Sequence, residues 1–310
     1  MKKIISILLS VTVIITFFAG CSAASDKKDN NKISVVATIF PPFDFARQIG
    51  KSKTDVKLLL PPGSESHTFE PTPADIITIQ NADIFIYTGS ENDTWIDSIL
   101  QNIDVSKMSI IKLMDIVKTV NEEIVDGMES DGGDNELDEH VWTSIKNSAK
   151  IAKEISNTFC KIDSENKVFY KQNLNEYLND LGELEFEFEQ LVQNSKRKTI
   201  VFGDRFPFRY FADDYGLNYY AAFPGCSAES EPTPKTVAFL IDKVKTENIP
   251  VVFYIEFSSH KTADTIAEAT GAKTMLFHSC HNVSAEDMKN GATYISLMRS
   301  NLDALKTALN

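Results

Sequence analysis

The stretch that most limits how this chain can fold is "ENKVFYKQNLNEYLNDLGELEFEFEQLVQN", Glu165 to Asn194. It holds no proline, and its apolar residues (Val168, Tyr170, Leu174, Tyr177, Leu178, Leu181, Leu184, Phe186) return at intervals of mostly three or four. That spacing predicts one amphipathic helix. About 30 residues at 1.5 Å each make a rod near 45 Å, long enough to separate two lobes. With "IKNSAKIAKEISNTFCKI" before it, the linking helical segment is expected over 144–194.

On both sides of this rod, short β-branched apolar runs alternate with helix-forming stretches. Before it come the strands "ISVVATIF", "DVKLLLPPG" and "DIFIYTG", and the helices "PPFDFARQIG", "TPADIITIQNA" and "TWIDSILQNI". Thr72 is placed to N-cap the second of these helices, with Pro73 at its first position. After the rod, "KTIVFG", "LNYYAAFPG", "PVVFYIEF" and "KTMLFHS" read as strands, separated by helical "FRYFADDYG", "KTVAFLIDKVKTEN" and "SSHKTADTIAEATG". A last helix is expected at "YISLMRSNLDALKTAL". The fold class is therefore α/β: two lobes with parallel-type sheets flanked by helices, over 33–143 and 195–310, joined by one long helix. Ligands of such sheets bind at the carboxyl ends of strands.

The N-terminus carries a different message. "MKK" precedes the apolar run "IISILLSVTVIITFF", which ends in "AGC". The run is short for a membrane span and has the three-part form of a secretory signal. Residues 1–20 are expected to be a lipoprotein signal peptide, with Cys21 lipidated as the mature N-terminus, and 21–32 a polar disordered tether. The protein is then extracytoplasmic, attached to membrane lipid through Cys21. A net charge of −13 opposes nucleic-acid binding, which needs a basic face, and suits cations. Nine of those acids fall in 121–139, "NEEIVDGMESDGGDNELDE". It reads as a solvated, flexible acidic loop, with low-affinity cation capture as the alternative.

Five histidines and four cysteines carry the chemistry. His67 follows a strand in the proline-bracketed "PPGSESHTFEPTP", His140 ends the acidic loop in "DEHVWTS", and His278 and His281 end the strand "KTMLF". Imidazoles gathered at strand ends suit Zn2+, with Mn2+ the alternative. His260, on a polar turn, reads as structural. Cys226 and Cys280 both follow strands of the second lobe. Export favours a disulfide between them, and thiolate ligation of zinc is the competing reading. Cys160, inside a helix, reads as a buried free thiol.

"ATIFPPFDFARQIG", "LLLPPGSESHTFEPTPADI", "NADIFIYTGSENDTWID", "DEHVWTS", "YFADDYGL" and "IAEATGAKTML" together resemble the zinc- and manganese-specific substrate-binding lipoproteins of bacterial ABC importers. The resemblance runs through nearly the whole mature chain and implies two α/β lobes, one backbone helix, and a metal in the cleft between them. It implies His67 as first ligand and His140 as second, where the family has "DPH". The third family ligand falls five residues before Tyr210, on Arg205 here, and a guanidinium cannot coordinate a cation. The fourth aligns with His278, and His281 falls where the family varies.

The leading function is therefore a monomeric receptor that captures Zn2+ or Mn2+ outside the cell and hands it to an ABC permease. The enzyme alternative, a secreted zinc hydrolase, needs an open coordination position and a base, which Glu65, Glu70 or Glu256 could supply. Neither HExxH nor GxSxG occurs. A Cys280–His281 thiol catalyst is disfavoured, because adjacent residues at a strand end face opposite ways. Anchoring is also compatible with a surface adhesin, for which no sequence feature argues.

Overall fold

The computed structural model describes residues 31–64, 69–129, 136–225 and 231–310. The expected signal peptide, Cys21, His67 and Cys226 lie outside the described residues. Residues Lys32–Asn310 form one compact unit.

The first sheet contains β1 (Ile33–Ala37), β2 (Thr54–Leu58), β3 (Ile84–Tyr87) and β4 (Ser109–Lys112), all parallel, in the order β2-β1-β3-β4. In the second lobe, β5 (Thr199–Phe202), β7 (Asn218–Tyr220), β9 (Val251–Tyr254) and β10 (Lys273–Leu276) are also parallel, in the order β10-β9-β5-β7. Both sheets thus place their strands in the order second, first, third, fourth. Each reverses direction at its first strand, and there the carboxyl ends open a crevice. The two-residue strands β6 (Arg205–Phe206) and β8 (Phe223–Pro224) pair beyond the end of β5.

The strands are apolar on both faces because both are covered. Val35, Ile84, Ile86, Ile200, Phe202 and Phe253 join one apolar cluster that runs through both lobes. Their alternate neighbours face outward into two smaller cores, Val36 and Phe85 in the first lobe, Val201 and Val252 in the second. Edge strand β4 is half exposed and only four residues long, which is why the sequence reading passes over "SIIK".

The helices are α1 (Phe40–Gly50), α2 (Pro73–Gln80), α3 (Thr94–Leu100), α4 (Leu113–Ile116), α5 (Ile145–Ile162), α6 (Lys167–Gln193), α7 (Arg209–Tyr215), α8 (Pro234–Thr246), α9 (Lys261–Thr270), α10 (Ala285–Lys289) and α11 (Tyr294–Leu309). Thr72 does cap α2, in a capping box with Asp75. The expected 144–194 segment divides at Asp163, whose carboxylate accepts from the Asn166 backbone, the Asn166 amide and the Tyr170 hydroxyl. These bonds offer the chain an alternative to continuing the helix. The rod itself is α6, whose 27 residues span about 40 Å. Its buried face is Tyr170, Asn173, Tyr177, Leu181, Leu184, Phe188 and Val192, while Val168 and Phe186 from the expected stripe are exposed. It packs against α1, α5, α7 and α11, and so acts as a spine shared by both lobes.

The acidic loop departs from expectation. In its described parts Asn121 bridges Leu137, Glu123 accepts from the Tyr219 hydroxyl and pairs with Arg209, and Glu129 accepts from the backbone of Thr233 at the start of α8. Carboxylates that look like a solvated run are partly spent on a strap across the second lobe. Burial raises and the Thr236 and Thr233 hydrogen bonds lower the Glu129 pKa, with a net fall that marks a bound carboxylate.

Candidate metal centre

The centre is built where the carboxyl ends of both sheets meet. His140 stands at the end of the strap and opens a single 3-10 turn, Val141–Thr143, with its carbonyl bonded to the Thr143 hydroxyl. Asp138 Oδ1 accepts from the His140 backbone N–H at 2.8 Å and lies 3.1 Å from His140 Nδ1. Both residues are buried. A carboxylate against Nδ1 holds the ring proton there and leaves the Nε2 lone pair for a metal. Burial alone pushes the His140 pKa down. The Asp138 charge and hydrogen bond, with Glu139 and Glu122, outweigh it and raise the value. Gly225 is required for close approach, since a Cβ there would lie 3.1 Å from two atoms of the His140 ring and from Pro207 Cα.

The second element is the loop after β10, in which nearly every backbone group has a partner. Asn301 of α11 accepts from His278 N–H and donates to its carbonyl, at 2.7 and 2.8 Å. Glu256, just beyond β9, accepts from both the backbone and the hydroxyl of Ser279, and the Trp142 indole donates to the Ser279 carbonyl. Cys280 takes a left-handed φ of +63°, uncommon for a non-glycine residue. His281 N–H donates to the Ser279 hydroxyl, and its carbonyl accepts from Phe40 N–H in the first lobe.

These two elements bring Glu139, His140 and His281 together, with donor atoms all within 4.8 Å of one another. Tetrahedral zinc with bonds of about 2.0–2.1 Å needs donors about 3.3 Å apart, so small side-chain movements would close the set. The His140 and His281 rings lie edge to face at 5.9 Å, and Trp142 packs against both. A cavity of about 30 Å³ lies among His140, His281, Arg205 and Glu256. That volume has room for one ion or water.

The other expected residues divide. His278 stays outside the cluster: its Nδ1 accepts from Cys280 N–H at 2.9 Å and faces Glu256, so it shapes the loop. Cys280 is a free thiol among the described residues and is fully buried; Cys226, its expected disulfide partner, lies outside them. Burial, reinforced by the Glu256 and Asp44 charges, pushes its pKa well up, which opposes both thiolate ligation and thiol catalysis. Cys160 is free but only half buried. His260 pairs with Asp264 on the surface, in keeping with a structural role. Asp204 gives one carboxylate oxygen to Arg205 N–H and the other to Ile255 N–H, and Arg205 is buried in β6 beside the cavity.

Glu139 is the residue that sequence reasoning missed. The signal was present: "DEH" stands where the resembled family has "DPH", a carboxylate in place of proline directly before a ligand histidine. It is buried, unlike most of the acidic run that conceals it.

Two parallel α/β lobes on a shared helical spine, with a His–His–carboxylate cluster where their strand ends meet, define a two-lobed receptor for a metal ion. The chain belongs to the ZnuA family, zinc-uptake complex component A, periplasmic, whose model matches residues 35–308. It is similar to the high-affinity zinc uptake system protein ZnuA of Bacillus subtilis, 33% identical over 299 residues that cover 94% of this chain and 93% of that one. Among solved structures, the metal-dependent lipoprotein YcdH of Bacillus subtilis superposes with a TM-score of 0.78 at 33% identity, covering 90% of this chain and all of that one. The Zn(II)-bound ZnuA-like domain of Streptococcus pneumoniae AdcA gives 0.74 at 29% identity, covering 90% of this chain and 99% of that one.

Proposed function

We propose that the protein is the extracytoplasmic zinc receptor of an ABC importer: it captures Zn2+ between its lobes and passes it to the membrane permease. The observation that carries this reading is the gathering of Glu139, His140 and His281 donor atoms within 4.8 Å of one another at the strand ends, with both imidazoles lining one small cavity. His67, matched by resemblance, supplies a further imidazole. Glu139 takes over the anionic or imidazole role lost at Arg205. Nitrogen-weighted donors favour Zn2+ over Mn2+, which prefers more oxygen. Glu256, the candidate base nearest the centre, is committed to the Ser279 backbone and hydroxyl, which supports a receptor over a hydrolase. Cys21 carries the lipid that keeps a monomeric receptor at the membrane surface, and among the described residues no helix is long and apolar enough to cross a membrane.

Calorimetric titration of the metal-stripped protein with Zn2+ and Mn2+ tests this, beside His140→Ala and His281→Ala. One tightly bound Zn2+, weaker Mn2+, and a loss of tenfold or more in each variant are expected. Unchanged zinc affinity in both variants would sink the ligand assignment. Release of the protein from membranes by Cys21→Ser tests the anchor.

A further inference from the structure

The residue after His281 makes a connection that the metal centre itself does not require. Asn282 is buried, and its side-chain amide is fully used: Nδ2 donates to the carbonyls of Pro61 and Ser64 at 2.8 and 2.9 Å, and Oδ1 accepts from Val283 N–H at 2.8 Å. Gly63 N–H returns a bond to the Val283 carbonyl at 2.8 Å. The partner is a rigid object. Ser64 N–H donates to the Pro61 carbonyl, Pro62 occupies the position that favours φ near −65°, and Gly63 has φ +83°, which together make a type II turn. A turn leaving the first lobe's β2 is thereby clipped to the second lobe's ligand loop, 218 and 221 residues away in the chain.

We propose that Asn282 is a positioning residue, the clip that registers the His281 loop against the first lobe before metal arrives and limits the rate at which metal leaves. His281 is then held from three directions: by the Ser279 hydroxyl at its N–H, by Phe40 at its carbonyl, and by the clip one residue on. Parting the lobes at the centre requires breaking the Asn282 pair and the Gly63–Val283 bond together. Binding energy is therefore not spent on ordering this loop, and escape of the ion waits on a concerted opening. The inference rests on the zinc-receptor reading for its ligand and on the hydrogen-bond geometry for its mechanism.

The test uses Asn282→Asp, which keeps the acceptor for Val283 N–H but turns a carboxylate oxygen toward two carbonyls, and Asn282→Ala. Zinc dissociation is followed by stopped-flow chelator capture, zinc association separately, and exchange of the Gly63 amide with solvent deuterium. In both variants dissociation should accelerate about tenfold to a hundredfold. Association should change little, while the metal-free melting temperature falls with the lost buried hydrogen bonds; a merely structural role would lower stability without accelerating dissociation. In the wild type the Gly63 amide should be protected with and without zinc, a readout that needs no variant to fold. An unprotected Gly63 amide in the metal-free wild type, or an unchanged dissociation rate, would overturn the clip. A wild type that fails to bind zinc while Gly63 stays protected would instead refute the receptor function.

Discussion

Asp138→Asn is the substitution that most directly probes how the centre is tuned. The change keeps an oxygen where Oδ1 now accepts from His140 N–H and faces Nδ1, and removes only the charge. The backbone around it is held independently, by the Tyr210 hydroxyl on the Asp138 carbonyl at 2.7 Å and by Asp138 N–H on Val120 at 2.9 Å. Fold and ring orientation should survive. A neutral hydrogen bond has roughly half the strength of a charge-assisted one, and loss of an orienting partner behind a ligand histidine typically costs about 10–100-fold in metal affinity. That range corresponds to about 1.4–2.7 kcal/mol. The pH dependence makes the prediction sharper. Asp138 raises the His140 pKa against the opposing effect of burial, so it also strengthens the proton as a competitor for the ring. Replacing it weakens both the metal bond and the competing proton. The affinity deficit should therefore be larger at pH 8 than at pH 6, because acidification brings in the proton that the Asp138 charge helps the wild-type ring to hold. Competition titrations with a fluorescent zinc chelator across that range measure it. Equal affinities at pH 8, or a deficit that widens on acidification, would refute this account of Asp138.

Glu139→Gln should weaken Zn2+ by about tenfold and Mn2+ by more, because manganese depends more on anionic oxygen; parallel titrations that leave the zinc-to-manganese ratio unchanged would remove Glu139 from the ligand set. Gly225→Ala forces a methyl group against the His140 ring and the Pro207 backbone, at 3.1 Å from each. It should cost about 1–3 kcal/mol in stability, read by denaturant titration, together with a loss of zinc affinity. Asp93 lies outside the ligand set, although the Glu139 charge adds to the burial that raises its pKa. Burial pushes its pKa up to about 6 from an ordinary 3.8, against the Gly89 N–H that it accepts at 2.6 Å. The folded state thus holds this proton more tightly than the unfolded chain, so the contribution favours folding below about pH 4 and is lost as pH rises through 6. Asp93→Asn should therefore gain stability on the wild type between pH 4 and pH 7, by about 1–3 kcal/mol; a difference that is constant across that range would contradict it.

The α/β frame was legible because covered parallel strands must be apolar on both faces, and Ile84–Tyr87 and Val251–Tyr254 stand out as such against polar helices. Cap chemistry was legible too, at Thr72–Pro73, where a few residues determine the local backbone. The centre was legible only in part, and His278 and His281 show why. Both end one strand, three residues apart, and the choice of which ring reaches the cleft depends on the left-handed Cys280 and on Asn301 gripping His278 from α11. Neither constraint is local in sequence. Glu139 was hidden for a different reason: among nine acids in 121–139, composition does not reveal that the fold buries Asp138 and Glu139.

The connections between the lobes bear on how metal is gained and released. The spine α6 packs on elements of both lobes, the strap ties Glu123 and Glu129 to α7, β7 and α8, Trp142 donates to Ser279, and Asn282 closes the mouth onto the Pro61–Ser64 turn. Each tie crosses the cleft or borders it, and none passes through the ligand atoms of Glu139, His140 or His281. A wide hinge motion would have to break several of them at once, at about 0.5–1.5 kcal/mol for each hydrogen bond. Local release of the Asn282 loop breaks four: the two Asn282 amide bonds, Gly63–Val283 and Phe40–His281. Because the two sheets share one strand order, their carboxyl ends already face a common site, and capture needs only the side-chain contraction from 4.8 Å toward tetrahedral spacing. Under the proposed clip, affinity follows the identity and registry of the Glu139, His140 and His281 donors, and metal release follows how readily one short loop is lifted.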